Sequence, residues 1–267
     1  MSVAAQDLSR LEPRALRGLA RSGEWRRPTT GLCHGYAQAN LVILPEADAL
    51  DFFLFSQRNP RSCPLIEVTE PGGTEPEGVA VGADLRTDLP EYRVYERGEE
   101  VAVVPDISEH WRGDLVSFLI GCSFTAEAAL LDAGVRLRHL ELDRAVPMYV
   151  TARDCRPAGR FQGRMVVSMR PILQSQLVRA VQVTSRFALA HGGPVHAGDP
   201  EGLGIADLER PDWGDTVPVE AGYVPVFWAC GVTPQAVARE SRPELMITHS
   251  PGHMFVTDVP DRELAVH

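Results

Sequence analysis

Lysine is absent from this chain: all 26 basic residues are arginine, against 36 acidic ones, for a net charge of -10. That absence excludes a Schiff-base lysine, pyridoxal phosphate attached to this chain and a Walker-type phosphate lysine. Arginine is left as the carboxylate receptor, a role its planar fork suits. Also missing are G-x-G-x-x-G, G-x-x-x-x-G-K, G-x-S-x-G and H-E-x-x-H, so nucleotide-binding, hydrolase-elbow and zincin readings have no motif to rest on. The N-terminal stretch MSVAAQDLSRLEPRALRGLARSG lacks the continuous apolar core of a signal peptide or membrane span. There is no C-x-x-C pair. Five scattered cysteines, Cys33, Cys63, Cys122, Cys155 and Cys230, fit a reducing cytoplasm better than a disulfide scaffold. The acidic balance argues against nucleic acid and anionic membranes as partners.

What is present, in 267 residues of which 44% are hydrophobic, is enough for one large domain with a smaller companion. The central stretch is 118–131, FLIGCSFTAEAALL. An apolar run breaks at Gly121, places Cys122 and Ser123 on the turn and continues as an alanine-rich helix with Glu127 in its first turn. A helix starting there offers unpaired N–H groups and a partial positive charge, able to hold an anion or lower a thiol pKa. Residues 226–239 repeat the design: an apolar run enters Cys230 and Gly231, with Thr233 as expected N-cap and Pro234 as first helical residue. With both strands in one sheet, the two turns would face a shared crevice.

Elsewhere, periodicity predicts helices over 9–21 and 47–58 and strands over 39–44, 65–69, 135–142, 245–248 and 254–257. A hairpin is expected around Arg97-Gly98, and a long helix over 173–190. The resulting expectation is an α/β fold: a layered α/β/α main domain over 1–146 and 200–267, with a smaller two-layer α+β unit, 147–199, inserted.

Several residues carry candidate chemistry. Cys122 is a nucleophile, a bystander at an anion site or simply a small packing residue; Cys230 gains weight only from its turn. His249 and His253 bracket Ser250-Pro251-Gly252 and could supply a general base or, with a further ligand such as Asp258, bind a metal; backbone-bonded loop histidines are the plainer reading. His191 precedes two glycines, which mark a close approach to a ligand or to another loop, and His196 and Asp199 follow. Glu70 is an acid/base candidate or a solvated strand end. Arg156, Arg160, Arg164 and Arg170 crowd one region, as a carboxylate-binding surface or as partners of acidic neighbours.

The blocks QANLVILP (38–45), FSQRNPRSCPLIEVTEPG (55–72), GCSFTAEAALL (121–131), VVSMRPI (166–172), HGGPVHAGDPEGLGIADL (191–208), PVFWACGVTPQA (225–236) and ITHSPGHMFVTD (247–258) closely resemble the D-glutamate cyclase family of hydro-lyases. The likeness runs from about Ser22 to Asp258. It implies an α/β enzyme, a carbon–oxygen lyase of amino acid metabolism, reversibly dehydrating D-glutamate to 5-oxo-D-proline. No established catalytic set comes with it, so roles follow from the residues. Arg160 or Arg186 would anchor the α-carboxylate, with Ser123, His191 and Gly231 also at the substrate. The helix start after Cys122 would hold the oxyanion, and His249 or His253 would shuttle protons, oriented by Glu70 or Asp258. A thioester on Cys122 ranks below direct ring closure. The partner is a small dicarboxylate; no cofactor and no metal are expected, and homo-oligomerisation is left open. Metal-assisted hydration or hydrolysis of another carboxylate, and a non-enzymatic carboxylate-binding regulator, are the alternatives.

Overall fold

A computed structural model describes residues 8–265; the first seven residues of the N-terminal stretch read above, and the last two of the chain, lie outside that range. The fold mixes helices and sheets, as expected of an α/β protein. The first sheet contains β1 (Tyr36–Pro45), β2 (Leu65–Val68), β3 (Tyr92–Glu96), β4 (Glu99–Val104) and β5 (Leu115–Gly121), joined late in the chain by β10 (Leu245–His249) and β11 (Phe255–Pro260). Its order is β2-β5-β1-β10-β3-β4, with β11 also on β1, and its pairings are antiparallel.

Strand β1 is the axis. One edge pairs with β5 from Ala39↔Gly121 to Pro45↔Leu115. The other edge is divided between β10, at Val42↔Thr248 and Ile43↔Ile247, and β11, at Ala39↔Phe255. Side chains alternate faces along a strand. Ala39, Leu41 and Ile43 therefore join Tyr92, Leu119, Ile247 and the segment holding Ala83, Leu85 and Leu89 in one core. Val42 and Leu44 join Phe118, Ile120 and Met246 in the other, under Phe52 and Phe55 of α2 (Glu46–Arg58) and Val237 of α6 (Thr233–Ser241). Asn40 falls on this second face by the same rule. The β3–β4 hairpin turns at Arg97 and Gly98, with φ of 49° and 85°, the paired positive φ that a twist-matched two-residue turn requires.

The second sheet, in order β6-β7-β9-β8, is built from β6 (Met148–Asp154), β7 (Arg164–Leu173), β8 (His196–Ala197) and β9 (Tyr223–Ala229). Strand β9 pairs with β7 from Val167↔Ala229 to Leu173↔Tyr223. The strands leading into Cys122 and Cys230 thus lie in different sheets, which corrects the one-sheet expectation: each finds its full-length antiparallel neighbour, β1 or β7, in its own sheet. Residues 135–142 are not a strand. Val135 and Leu137 pack on Ile172 and Trp228 from an irregular segment that ends in the single helical turn α4 (Arg138–Glu141). The expected long helix over 173–190 is shorter because β7 runs to Leu173; only α5 (Leu177–Ser185) is α-helical, between two 3-10 turns. Among the described residues no helix is long and apolar enough to cross a membrane.

Candidate active site

The two turns face each other although their strands do not share a sheet. A Cβ on Gly121 would lie 1.6 Å from the Leu189 carbonyl, so only glycine lets the Ala188–Ala190 turn pack there. Cys122 then caps the 3-10 turn Ser123–Ala126, its Sγ accepting the Phe124 N–H at 3.5 Å, ahead of the short α3 (Glu127–Asp132). On the other side, a Cβ on Gly231 would lie 2.0 Å from Asn40 Nδ2. Asn40 donates to the carbonyls of Gly121 at 2.7 Å and Ile120 at 3.2 Å, so one buried amide from β1 spaces both turns. Between them lies a chamber of about 50 Å³ whose polar lining is Asn40, Ser123, Ser168, Thr30 and the thiols of Cys122 and Cys230.

Charge stands behind the chamber wall. Arg170, 1% exposed, donates to Ser123 Oγ at 3.1 Å and Ser168 Oγ at 3.2 Å. The same guanidinium donates to Glu127 Oε1 at 2.6 and 3.0 Å and lies over the Trp228 ring. His139 Nε2 sits 3.1 Å from that same oxygen, at ion-pair distance but off hydrogen-bond alignment. Burial alone would raise the Glu127 carboxyl; the charges of His139 and Arg170, with the Arg170 hydrogen bonds, outweigh it and hold the group at about 2. The result is a fixed cation–anion pair whose guanidinium keeps two serine oxygens as acceptors. Each serine is then left with its O–H to donate elsewhere.

Of the residues singled out from sequence, Cys122 and Ser123 line the chamber, and Gly231 shapes it through Asn40. Thiol activation at the turn is not what the environment produces. Burial pushes the Cys122 thiol well up, and Cys230 up to about 11, and the backbone N–H groups of Phe124 and Val232 beside them do not offset that desolvation. Thr233 does not cap α6: it is the first helical residue, donating to the Cys230 carbonyl at 2.6 Å and accepting the Val166 N–H, which ties helix to β7.

The histidines lie apart from the chamber. His249 follows Leu245 and Ile247 on its strand and so belongs to the opposite face of the sheet from Asn40. Its Nδ1 accepts the Leu41 N–H at 3.2 Å where β1 changes partner from β10 to β11. Burial lowers it to about 4, so it is neutral at pH 7. His253 donates through Nδ1 to the Pro251 carbonyl within its own loop; the neighbours Pro251, Gly252 and Met254 line the chamber, and His253 does not. His191, in the left-handed region at φ 72°, donates to the Arg61 carbonyl at 2.7 Å and is likewise lowered by burial to about 4. The glycines beside it accommodate another segment: a Cβ on Gly193 would lie 2.5 Å from Ser185 Oγ.

Glu70, Arg160 and Arg186 are also displaced from the crevice. Thr69 donates to the Ser117 carbonyl and Gly72 to that of Leu115, which puts the exposed Glu70 at the start of β5, roughly 20 Å of strand from Cys122. Arg160 occupies the tip of the β6–β7 hairpin and pairs with Asp48 of α2 at 3.4 Å. Arg186 caps the exposed C-terminus of α5. Asp258 is held by a two-pronged contact from Arg17, at 2.9 Å for each oxygen, and is not turned toward a histidine. Among the described residues no three His, Cys, Asp or Glu side chains converge as a metal-binding group.

A second cavity adjoins the chamber. Thr30 and Ala145 line both the chamber and this outer cavity of about 410 Å³, whose walls include Trp25, Arg27, His139 and Arg144. A neighbouring cavity of about 370 Å³ reaches Glu127 and Phe124. Sequence reasoning missed Asn40, Ser168 and His139, named Glu127 only as a first-turn residue and saw Arg170 only as one of a crowd.

Relatives match along almost the full length. A "Putative hydro-lyase" of Thermoanaerobacter sp. (strain X514) is 60% identical over 255 residues, covering 96% of each chain. Those of Bacillus licheniformis and Rubrobacter xylanophilus are 58% and 61% identical, covering 97% and 92% of this chain and 99% and 95% of their own. The crystal structure of a nitrogen repressor-like protein from Methanococcus jannaschii overlaps 91% of this chain and 97% of its own, but at TM-score 0.39 and 9% identity it carries no argument. The chain is thus an enzyme of the carbon–oxygen lyase class. The D-glutamate cyclase family model matches residues 116–258, a span holding both cysteine turns and Arg170, and the chain belongs to that family.

Proposed function

We propose that this enzyme reversibly dehydrates D-glutamate to 5-oxo-D-proline, with the γ-carboxyl of the substrate in the inner chamber. The bond formed joins the amine nitrogen to Cδ, the carbon of the γ-carboxyl group, the bond broken is Cδ–O, and the two protons shed by the ammonium leave with that oxygen as water. The tetrahedral intermediate carries negative charge on oxygen and needs donors fixed before the charge develops. Ser123 and Ser168 are such donors: each oxygen accepts one N–H from Arg170, so its own O–H points away from the guanidinium and is free for the chamber. That pair of arginine-backed hydroxyls carries the reading. Arg170 is a positioning residue, since its own hydrogen bonds are committed to Ser123, Ser168 and Glu127. With burial raising the Cys122 and Cys230 thiols, direct attack by the amine is favoured over a thioester.

Proton NMR of D-glutamate, L-glutamate and 5-oxo-D-proline incubated with the purified protein tests this. Interconversion of the D pair alone, cut about a hundredfold in Ser123→Ala, is the expected result. Undiminished turnover in both Ser123→Ala and Ser168→Ala would remove the hydroxyl pair from the mechanism, and no turnover at all would remove the substrate.

A further inference from the structure

The outer cavity carries a signature of its own. Three residues in its wall hold buried polar atoms with no hydrogen-bonding partner in the protein: Trp25 Nε1, Thr30 Oγ1 and His139 Nδ1, the other ring nitrogen of His139 facing Glu127. They come from the loop after the first helix, the loop before β1, and α4, so no local turn geometry explains the coincidence. His139 is fully enclosed and Trp25 is 5% exposed. A buried polar group without a partner costs about 1–3 kcal/mol, and such groups gathered around one cavity call for a partner supplied from the cavity.

Their chemistry defines that partner. An indole N–H only donates, a threonine hydroxyl can donate once, and two cations stand beside them: Arg27, 4.2 Å over the Trp25 ring, and Arg144. The complement is an anion rich in acceptors. Two carboxylates also reach the wall, Asp143 and Asp215; Asp215 accepts the Ala145 N–H at 2.7 Å. They add acceptors for an ammonium beside the carboxylate without outnumbering Arg27 and Arg144. Size agrees, because about 410 Å³ falls within the roughly 300–1,000 Å³ of small-molecule sites, whereas the inner chamber's 50 Å³ holds about four waters.

We propose that the outer cavity is the second half of the substrate site, where Trp25 Nε1–H and Thr30 Oγ1–H bind the α-carboxylate of an amino dicarboxylate whose other carboxyl enters the chamber past Thr30. This rests on the reaction proposed above and adds to it the residues that hold the second carboxylate, across Thr30 from the chamber.

Glutarate, which has both carboxylates but no amine and cannot cyclise, is the probe. Calorimetric titration of the full chain is expected to show binding that weakens at least fivefold in Thr30→Val, which keeps the shape and loses the hydroxyl, and in Trp25→Phe. Glutarate binding with the same affinity to wild type and Thr30→Val, or no binding to the wild type, overturns the outer site even if D-glutamate is converted. Binding that weakens in the variants while D-glutamate stays unchanged supports the outer site and sinks the reaction instead.

Discussion

The turn at Cys122 and the turn at Cys230 share a local design, an apolar strand entering cysteine and glycine before a helix, yet they contribute opposite things. The first is backed by charge: Ser123 and Glu127 are locked to the enclosed Arg170. The second is neutral, and its features are spatial: Gly231 admits Asn40, and Thr233 ties the helix to β7. One turn holds the polar groups of the chamber and the other sets its width. Matching sequence grammar therefore predicted where the chamber would form but not which side would carry the chemistry.

The largest effect should come from breaking the charged side. Arg170→Met leaves Glu127 buried beside His139 alone and is expected to cost about 3–5 kcal/mol in denaturant unfolding, with turnover lost. Adding Glu127→Leu should restore much of the stability and none of the turnover; recovery of both would mean the pair serves folding only. Next comes acid. His249 and His191 are near 4 when folded, against about 6.5 unfolded. The unfolded chain therefore binds more protons between those values, and stability present above pH 6.5 is lost as pH falls toward 4, by roughly 3 kcal/mol for each histidine. Unfolding midpoints across that window should fall, and fall about half as steeply in His249→Gln; equal slopes would show that His249 is not neutralised by burial.

The spatial side should yield smaller changes. Gly231→Ala drives a methyl into Asn40 and is expected to destabilise by about 1–3 kcal/mol, and in combination with Asn40→Ala the loss should be less than the sum of the two. Strict additivity in thermal unfolding would separate the residues. Smallest of all, Cys230→Ser and Cys122→Ser should each change turnover less than tenfold, since the hydroxyls and not the thiols face the developing charge. A thousandfold loss in Cys122→Ser would reinstate the covalent route.

Local grammar made much of this legible: the glycine and cysteine of both turns, the ANLVIL strand, and the Arg97-Gly98 hairpin all appear as read. Other residues left a signal that went unused. Asn40 is the one amide of the apolar run ANLVIL, two residues from Val42 and four from Leu44 and hence on their buried face. Ser168 and Arg170 share a face with Val166 by the same period in VVSMRPI. A polar residue on a buried face implies a partner, and that argument needs no structure. What a single sequence does not hold is the meeting of Trp25, Thr30 and His139 across more than a hundred residues, or the assignment of β9 to a second sheet. Both depend on long-range pairing. The alternation in 135–142 misled because a buried period of two describes an irregular chain lying on a sheet as well as a strand within one.

The chamber's walls are drawn from both sheets, Asn40 from the first with Ser123 on the turn that leaves it, and Ser168 from the second with Cys230 on the turn that leaves it. Substrate lodged there adds its binding free energy to the seam between them, so a loaded enzyme resists separation of its halves by an amount that grows with the logarithm of ligand concentration. Catalytic occupancy and mechanical integrity are in this sense one quantity, and a change anywhere that lets the sheets drift apart will register first as weakened substrate affinity.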